Sequence, residues 1–163
     1  MKIIMDIETT GLNPMEDRVL CISYKSIGNE TITIYSEDEK EILEQFWYSF
    51  NEDLEIIGFN SDSFDLPFII KRSLINNIKV KKICKTIDLR KVVNSFFYSY
   101  NKLEKGSLRE WALILGINPE THNGSMMNEH FLKKEWDKIT QHCKEDIIIT
   151  EKLYERCLNC NLL

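Results

Sequence analysis

The chain has 163 residues, 43% of them hydrophobic and 29% charged, which suits one domain with a core and excludes a disordered chain. Its apolar runs are short clusters such as Ile147-Ile148-Ile149, far below the roughly 20 residues of a membrane span. The net charge of −5 argues against an acidic partner until it is divided: residues 1–70 carry 4 basic and 15 acidic side chains, 71–109 carry 11 and 2, and 110–163 carry 6 and 9.

In chain order, Lys2 to Glu8 reads as a strand ending in the turn-prone Thr9-Thr10-Gly11-Leu12-Asn13-Pro14. Arg18 to Lys25 is a second strand, Ile27-Gly28-Asn29-Glu30 a turn, and Thr31 to Tyr35 a third strand, together an antiparallel meander. Ser36 and Glu39 fit a capping box ahead of a helix with Ile42, Leu43, Phe46 and Phe50 on one stripe. Glu55 to Phe59 is a short buried strand. Pro67 suits the first turn of a helix carrying Phe68, Ile69, Ile70 and Leu74. Thr86 to Leu89 is a last strand. Helices follow: one with Leu89, Val92, Val93, Phe96 and Tyr100, one capped by Ser107 and Glu110 and stopped at Gly116, and a long one from about Glu135 to Cys157. The expected fold is α/β, a mixed five-stranded sheet with three antiparallel strands then two parallel ones, flanked by helices. Right-handed crossovers would set the first, fourth and fifth strands parallel and central. Residues 1–163 read as a single domain. The five scattered cysteines read as reduced thiols, and Asp6 comes too early for a signal peptide, so the expected location is intracellular, in the cytoplasm.

Asp6 and Glu8 stand two apart on the first strand and share a face. Two like charges there repel and cost desolvation unless a cation lies between them, and hard ions such as Mg²⁺ or Mn²⁺ take such oxygen ligands. Asp65, just past the fourth strand, is either a helix N-cap or a member of a ligand cluster at parallel strand ends. His142 and Asp146 are i, i+4 on the last helix, either a surface pair or a buried acid that needs a partner.

Taken together, Asp6-Ile7-Glu8-Thr9-Thr10-Gly11, Asn60-x-x-x-Phe64-Asp65-x-Pro67-Phe68 and His142-x-x-x-Asp146 resemble the three motifs of the DEDD family of RNase H-like 3′→5′ exonucleases. The second motif, Ile87-Asp88-Leu89 and Lys105-Gly106-Ser107-Leu108-Arg109 resemble the branch of family-B polymerase exonuclease domains. The resemblance implies an RNase H-like fold and a metal-dependent 3′→5′ exonuclease that releases nucleoside 5′-monophosphates from single-stranded 3′ ends, with DNA favoured over RNA. It implies two divalent ions, Mg²⁺ or Mn²⁺, about 4 Å apart on Asp6, Glu8, Asp65 and Asp146. It further implies that Thr9, Gly11 and Leu12 approach the 3′-terminal nucleotide and that Asn60 and Phe64 line the same cleft. One departure stands out. The family carries either Tyr three residues, or His four residues, ahead of the last Asp, counting those between. This chain has His142 with three between, and imidazole is the better base near neutral pH.

The basic segment offers Lys71, Arg72, Lys79, Lys81, Lys82 and Lys85, and then Lys102, Lys105 and Arg109, to a phosphate backbone or to solvent. In Phe96-Phe97-Tyr98-Ser99-Tyr100, Tyr98 is the candidate for base stacking, while Phe96 and Tyr100 follow the core stripe. Cys157-x-x-Cys160 is half a zinc site, and His122 and His130 read as exposed. Two other readings compete. One is an exonuclease-like module that binds nucleic acid or a partner without turnover. The other takes Asp6-x-Glu8-x-Thr10 as a phosphatase nucleophile loop, which wants Asp as its second acid.

Overall fold

The computed structural model describes residues 1–94, 106–119 and 124–163. Five strands, β1 (Lys2–Thr9), β2 (Val19–Lys25), β3 (Ile32–Tyr35), β4 (Leu54–Gly58) and β5 (Ile83–Asp88), form one sheet in the order β3-β2-β1-β4-β5. β1, β2 and β3 pair antiparallel, and β1, β4 and β5 pair parallel, as the meander and the two crossovers require. β5 is an edge strand, not a central one. It also starts three residues earlier than the apolar signal at Thr86 indicates, because an edge strand with lysines on it carries no hydrophobic run.

Alternation along β1 sorts the two faces. Ile3, Met5 and Ile7 enter a core with Ile42, Leu43, Phe46 and Trp47 of α1 (Glu39–Tyr48) and Phe68 and Ile69 of α2 (Asp65–Ile75). Tyr24, Phe46 and Phe50 pack edge to face within it, and each buried ring contributes about 1.5–3 kcal/mol. The buried Trp47 indole donates to Ser73 Oγ at 2.8 Å, joining α1 to α2. On the other face Ile4 and Ile57 meet Ile147, Leu153 and Tyr154 of α6 (Trp136–Asn159). The shorter α3 (Leu89–Asn94), α4 (Leu108–Ile114) and α5 (Met127–Leu132) lie beside it. Ser107 and Glu110 cap α4 reciprocally, as expected, and Gly116 takes φ +74° just past its end.

Ser36 and Glu39 do not form a capping box. Asp38 caps α1 through the Lys40 N–H, which frees the Glu39 carboxylate to turn inward. It accepts from the Val19 N–H at 2.7 Å, from Arg72 Nε and Nη2, and from Asn76 Nδ2. Arg72 Nη1 also donates to the Pro14 carbonyl at 3.2 Å. Arg72 is therefore a structural partner and is not offered to phosphate. Glu39→Ala, which strands a buried guanidinium, is expected to cost about 3–5 kcal/mol in urea unfolding, with Arg72→Ala costing a similar amount.

Two of the remaining belt lysines have carboxylate partners. Lys82 pairs with Asp53 at 3.3 Å and Lys85 with Glu55 at 3.3 Å, at the end of the sheet where β4 and β5 begin. His130 is buried, with Nδ1 2.6 Å from Glu135 Oε2, and pins α5 to the start of α6. Cys157 packs into the core while Cys160 is exposed, so the two thiols are not presented to one ion. Phe96 to Tyr100, Lys102, Lys105 and His122 lie outside the described residues. Among the described residues no helix is long and apolar enough to cross a membrane.

Candidate active site

The site grows from the point where two strands part. The last matched pair of β1 and β4 is Ile4 with Ile57. Beyond it the parallel strands separate, and their C-terminal ends open a crevice. Asp6 and Glu8 follow Ile4 in alternation and face α6. On the other side of β1 the register with β2 shifts between Glu8 and Thr9, where Glu8 matches Cys21 and Thr9 matches Val19. That bulge at Leu20 turns the chain into the loop after Glu8. Gly11 is needed there, since a Cβ would stand 2.4 Å from Asp17 Oδ2. The Asp17 carboxylate is held by Thr10 Oγ1 and the Asn13 N–H.

Asp65 opens α2 without capping it. Phe64 is the N-cap residue and makes no side-chain bond, so the helix-cap reading falls. Asp65 Oδ1 accepts the Ile7 N–H at 3.2 Å, on the edge of β1 that β4 has left. The turn before Asp65 is anchored by Asp88 at the end of β5, whose oxygens accept from Asn60 N at 2.8 Å and Asp62 N at 3.3 Å. Asn60 takes φ +64°, which Asn tolerates better than most residues, and its Oδ1 accepts Arg90 Nη1 at 2.9 Å.

The last helix supplies the rest. His142 Nε2 stands 3.5 Å from Glu8 Oε1. A Cβ on Gly124 would lie 3.6 Å from that nitrogen, so the 3-10 turn Gly124–Met126 covers the imidazole. Asp6, Glu8, Asp65, His142 and Asp146 line one open cavity of ≈ 590 Å³ with Asn60, Phe64 and Arg109. A second cavity of ≈ 430 Å³ adjoins it, lined by Thr9, Gly11 and Leu12 with Ser125 and Asn128. Glu8 and Phe64 belong to both. Asp6, Glu8, Thr9, Gly11, Leu12, Asn60, Phe64, Asp65, His142 and Asp146 thus all line one or other of these adjoining cavities.

The carboxylates are electrostatically costly there. Burial, then Cys143 and the neighbouring acids Asp146 and Asp65, pushes Asp6 well above the usual carboxylate range. Burial and then Asp6 do the same to Glu8. Asp65 and Asp146 are each raised to about 7, chiefly by burial. Burial lowers the His142 pKa, which keeps the ring neutral near pH 7. Among the described residues no lysine or arginine pairs with any of the four acids. Hard, buried, uncompensated oxygens are the donor set that Mg²⁺ or Mn²⁺ takes. Glu8, His142 and Asp146 already bring ligand atoms within 4.8 Å of one another.

Sequence reasoning gave no site role to four residues here. Asp88 was visible as an acid ending a strand ahead of a helix. Cys143, on the turn before Asp146, places Sγ 3.4 Å from Asp6 Oδ2, and no spacing signals that contact. Ser125 and Asn128 reach the cleft through a turn with no periodic pattern.

Three comparisons bear on this architecture. Uncharacterized protein MJ0365 of Methanocaldococcus jannaschii is 38% identical, over 99% of this chain and 98% of its own length. The family B DNA polymerase of Pyrobaculum calidifontis matches with a TM-score of 0.79 at 18% identity, over 99% of this chain. E. coli Exonuclease I in complex with a dT13 oligonucleotide matches with a TM-score of 0.68 at 14% identity, over 96% of this chain. The chain spans 25% of the polymerase and 40% of the exonuclease, and at these identities the likeness is one of fold. A family model of the RNase_H superfamily, RNase_H_2, matches residues 3–158: the chain belongs to that superfamily.

Proposed function

We propose that the chain is a metal-dependent 3′→5′ exonuclease that hydrolyses phosphodiester bonds at single-stranded 3′ ends, with DNA favoured over RNA. The observation that carries this reading is the meeting of Asp6, Glu8, Asp65 and Asp146 in one cavity. Two divalent ions bound there would lower the pKa of an attacking water and stabilise charge on the departing 3′-oxygen. The chain's own groups do the rest. Asp6, Glu8, Asp65 and Asp146 hold the ions, and the neutral His142 orients the water and accepts its proton. Arg109, which lines the same cavity, would contact the phosphate. Thr9, Gly11 and Leu12 seat the terminal nucleotide in the adjoining cavity, and Asn60 and Phe64 border the passage between the two. The dT13 held by Exonuclease I supports single-stranded DNA as the first substrate to try.

The test is digestion of matched 5′-labelled DNA and RNA oligonucleotides with Mg²⁺ or Mn²⁺. A ladder shortening from the 3′ end is expected, faster on DNA. Binding without a ladder would reject the enzyme and favour a module that only binds. His142→Ala is expected to slow the ladder by about 100-fold at neutral pH, and a change within about twofold would reject the base. Arg109→Ala is expected to raise KM by about tenfold through one lost phosphate contact, read from initial rates across substrate concentration.

A further inference from the structure

Behind the carboxylates of the cleft, in the core, lies a soft ligand that hard-ion chemistry does not use. Cys143 is wholly buried, and its S–H lies 3.4 Å from Asp6 Oδ2 and 3.5 Å from the Asp6 carbonyl. Its thiol also meets that of Cys21, which sits opposite Glu8 in the β1–β2 ladder. Asp6, Glu8 and Cys143 each offer a ligand atom, and the three atoms lie within 4.8 Å of one another. An ion centred in such a triangle is at most about 2.8 Å from each corner, so a contraction of under 1 Å reaches the roughly 2.3 Å of a zinc–sulfur bond and the roughly 2.0–2.2 Å of a zinc–oxygen bond.

We propose that Asp6, Glu8 and Cys143 form a binding site for thiophilic divalent ions, Zn²⁺, Cd²⁺ or Co²⁺. The ion takes the sulfur of Cys143 as a thiolate, the thiol proton leaves to solvent, and Asp6 and Glu8 complete the set. Only its consequence for turnover rests on the proposed exonuclease reading: the same two carboxylates serve the hard ions, so a thiophilic ion competes with Mg²⁺ or Mn²⁺. A thiolate raises affinity for soft ions and adds nothing for Mg²⁺. The neighbouring set of Glu8, His142 and Asp146 has no sulfur, and this separates the two in an experiment.

Cys84 and Cys160 are exposed, so both are first replaced by serine to leave the buried thiols. Titration with Co²⁺ is expected to produce the near-ultraviolet thiolate-to-cobalt absorption, saturating at one ion per chain. Cys143→Ser is expected to abolish it and to weaken Cd²⁺ binding by about tenfold or more, with Mn²⁺ affinity shifted by less than about threefold. Retained Mn²⁺ binding also shows that the variant is folded. Cys21→Ser is expected to keep the band. Should Cys143→Ser not fold, cadmium-113 NMR of the parent chain carries the same information through the downfield shift that a sulfur ligand causes. Bound Co²⁺ without the band, a band that survives Cys143→Ser, or a cadmium resonance in the range of oxygen and nitrogen ligands overturns the proposal. None of these readouts requires nuclease activity, so a chain that makes no ladder still tests the site.

Discussion

Asp6→Ala is expected to slow Mn²⁺-dependent digestion of a 5′-labelled oligonucleotide by about 1,000-fold or more, since losing one of the proposed metal ligands would forfeit several kcal/mol of transition-state stabilisation. Asp6 stands where the other groups converge: Asp146 and Asp65 both act on its charge, and Cys143 touches its carboxylate. The backbone around it is held by the β1–β2 ladder, in which Asp6 matches Ser23, so the variant is expected to keep the wild-type circular dichroism. Laddering at near wild-type rate from a folded Asp6→Ala protein would reject the whole site assignment.

Asp146→Asn is expected to do the reverse to stability, raising the melting temperature in chelator at pH 8 by about 3 °C or more. Burial raises Asp146 from its ordinary 3.8 to about 7, with Glu145 adding to the shift. A carboxyl raised in the folded state binds more protons there than in the unfolded chain. Its contribution therefore favours the fold below 3.8, declines as pH rises, and is fully lost above about 7. The gain from Asn should accordingly be present at pH 8 and vanish towards pH 4. Saturating Mn²⁺ should raise the wild-type melting temperature more than that of the variant, because the ion repays a repulsion the variant no longer has. Differential scanning fluorimetry at the two pH values, with and without metal, reads all of this. A variant that melts lower than wild type in chelator at pH 8 would mean that Asp146 is compensated within the protein.

What the sequence discloses and what it withholds follow from the range of the forces involved. Strand alternation and helical stripes are local, so β1 to β4 and α6 lie close to where the pattern puts them. The three motifs are local too; parallel neighbours end on one side of a sheet, which brings Asp6 and Asp65 together, and the packing of α6 on that sheet adds Asp146. Glu39 shows the other case. Its spacing from Ser36 fits a capping box, but a buried arginine 33 residues away outcompetes the local bond. Lys82 and Lys85 look like part of a nucleic-acid surface until the register sets them beside Asp53 and Glu55. His130 is polar in a short helix and reads as exposed, yet it is buried with its ring bonded to Glu135.

The edge strand β5 has a consequence for how the molecule meets an anionic polymer. It runs parallel to β1, from lysine-flanked Ile83 to Asp88 beside the motif turn. Its basic start therefore stands roughly 20 Å, some six residues of strand, from the four acids. Lys82 and Lys85 share that end with Asp53 and Glu55, so an anionic polymer that meets it must compete with carboxylates already in place, and added salt weakens both attractions together. That end of the sheet is therefore a poor long-range guide for a polyanion. Divalent ions held in the cleft would do more than assist chemistry: by offsetting the acids there, they would make the cleft itself the place that admits the strand's end.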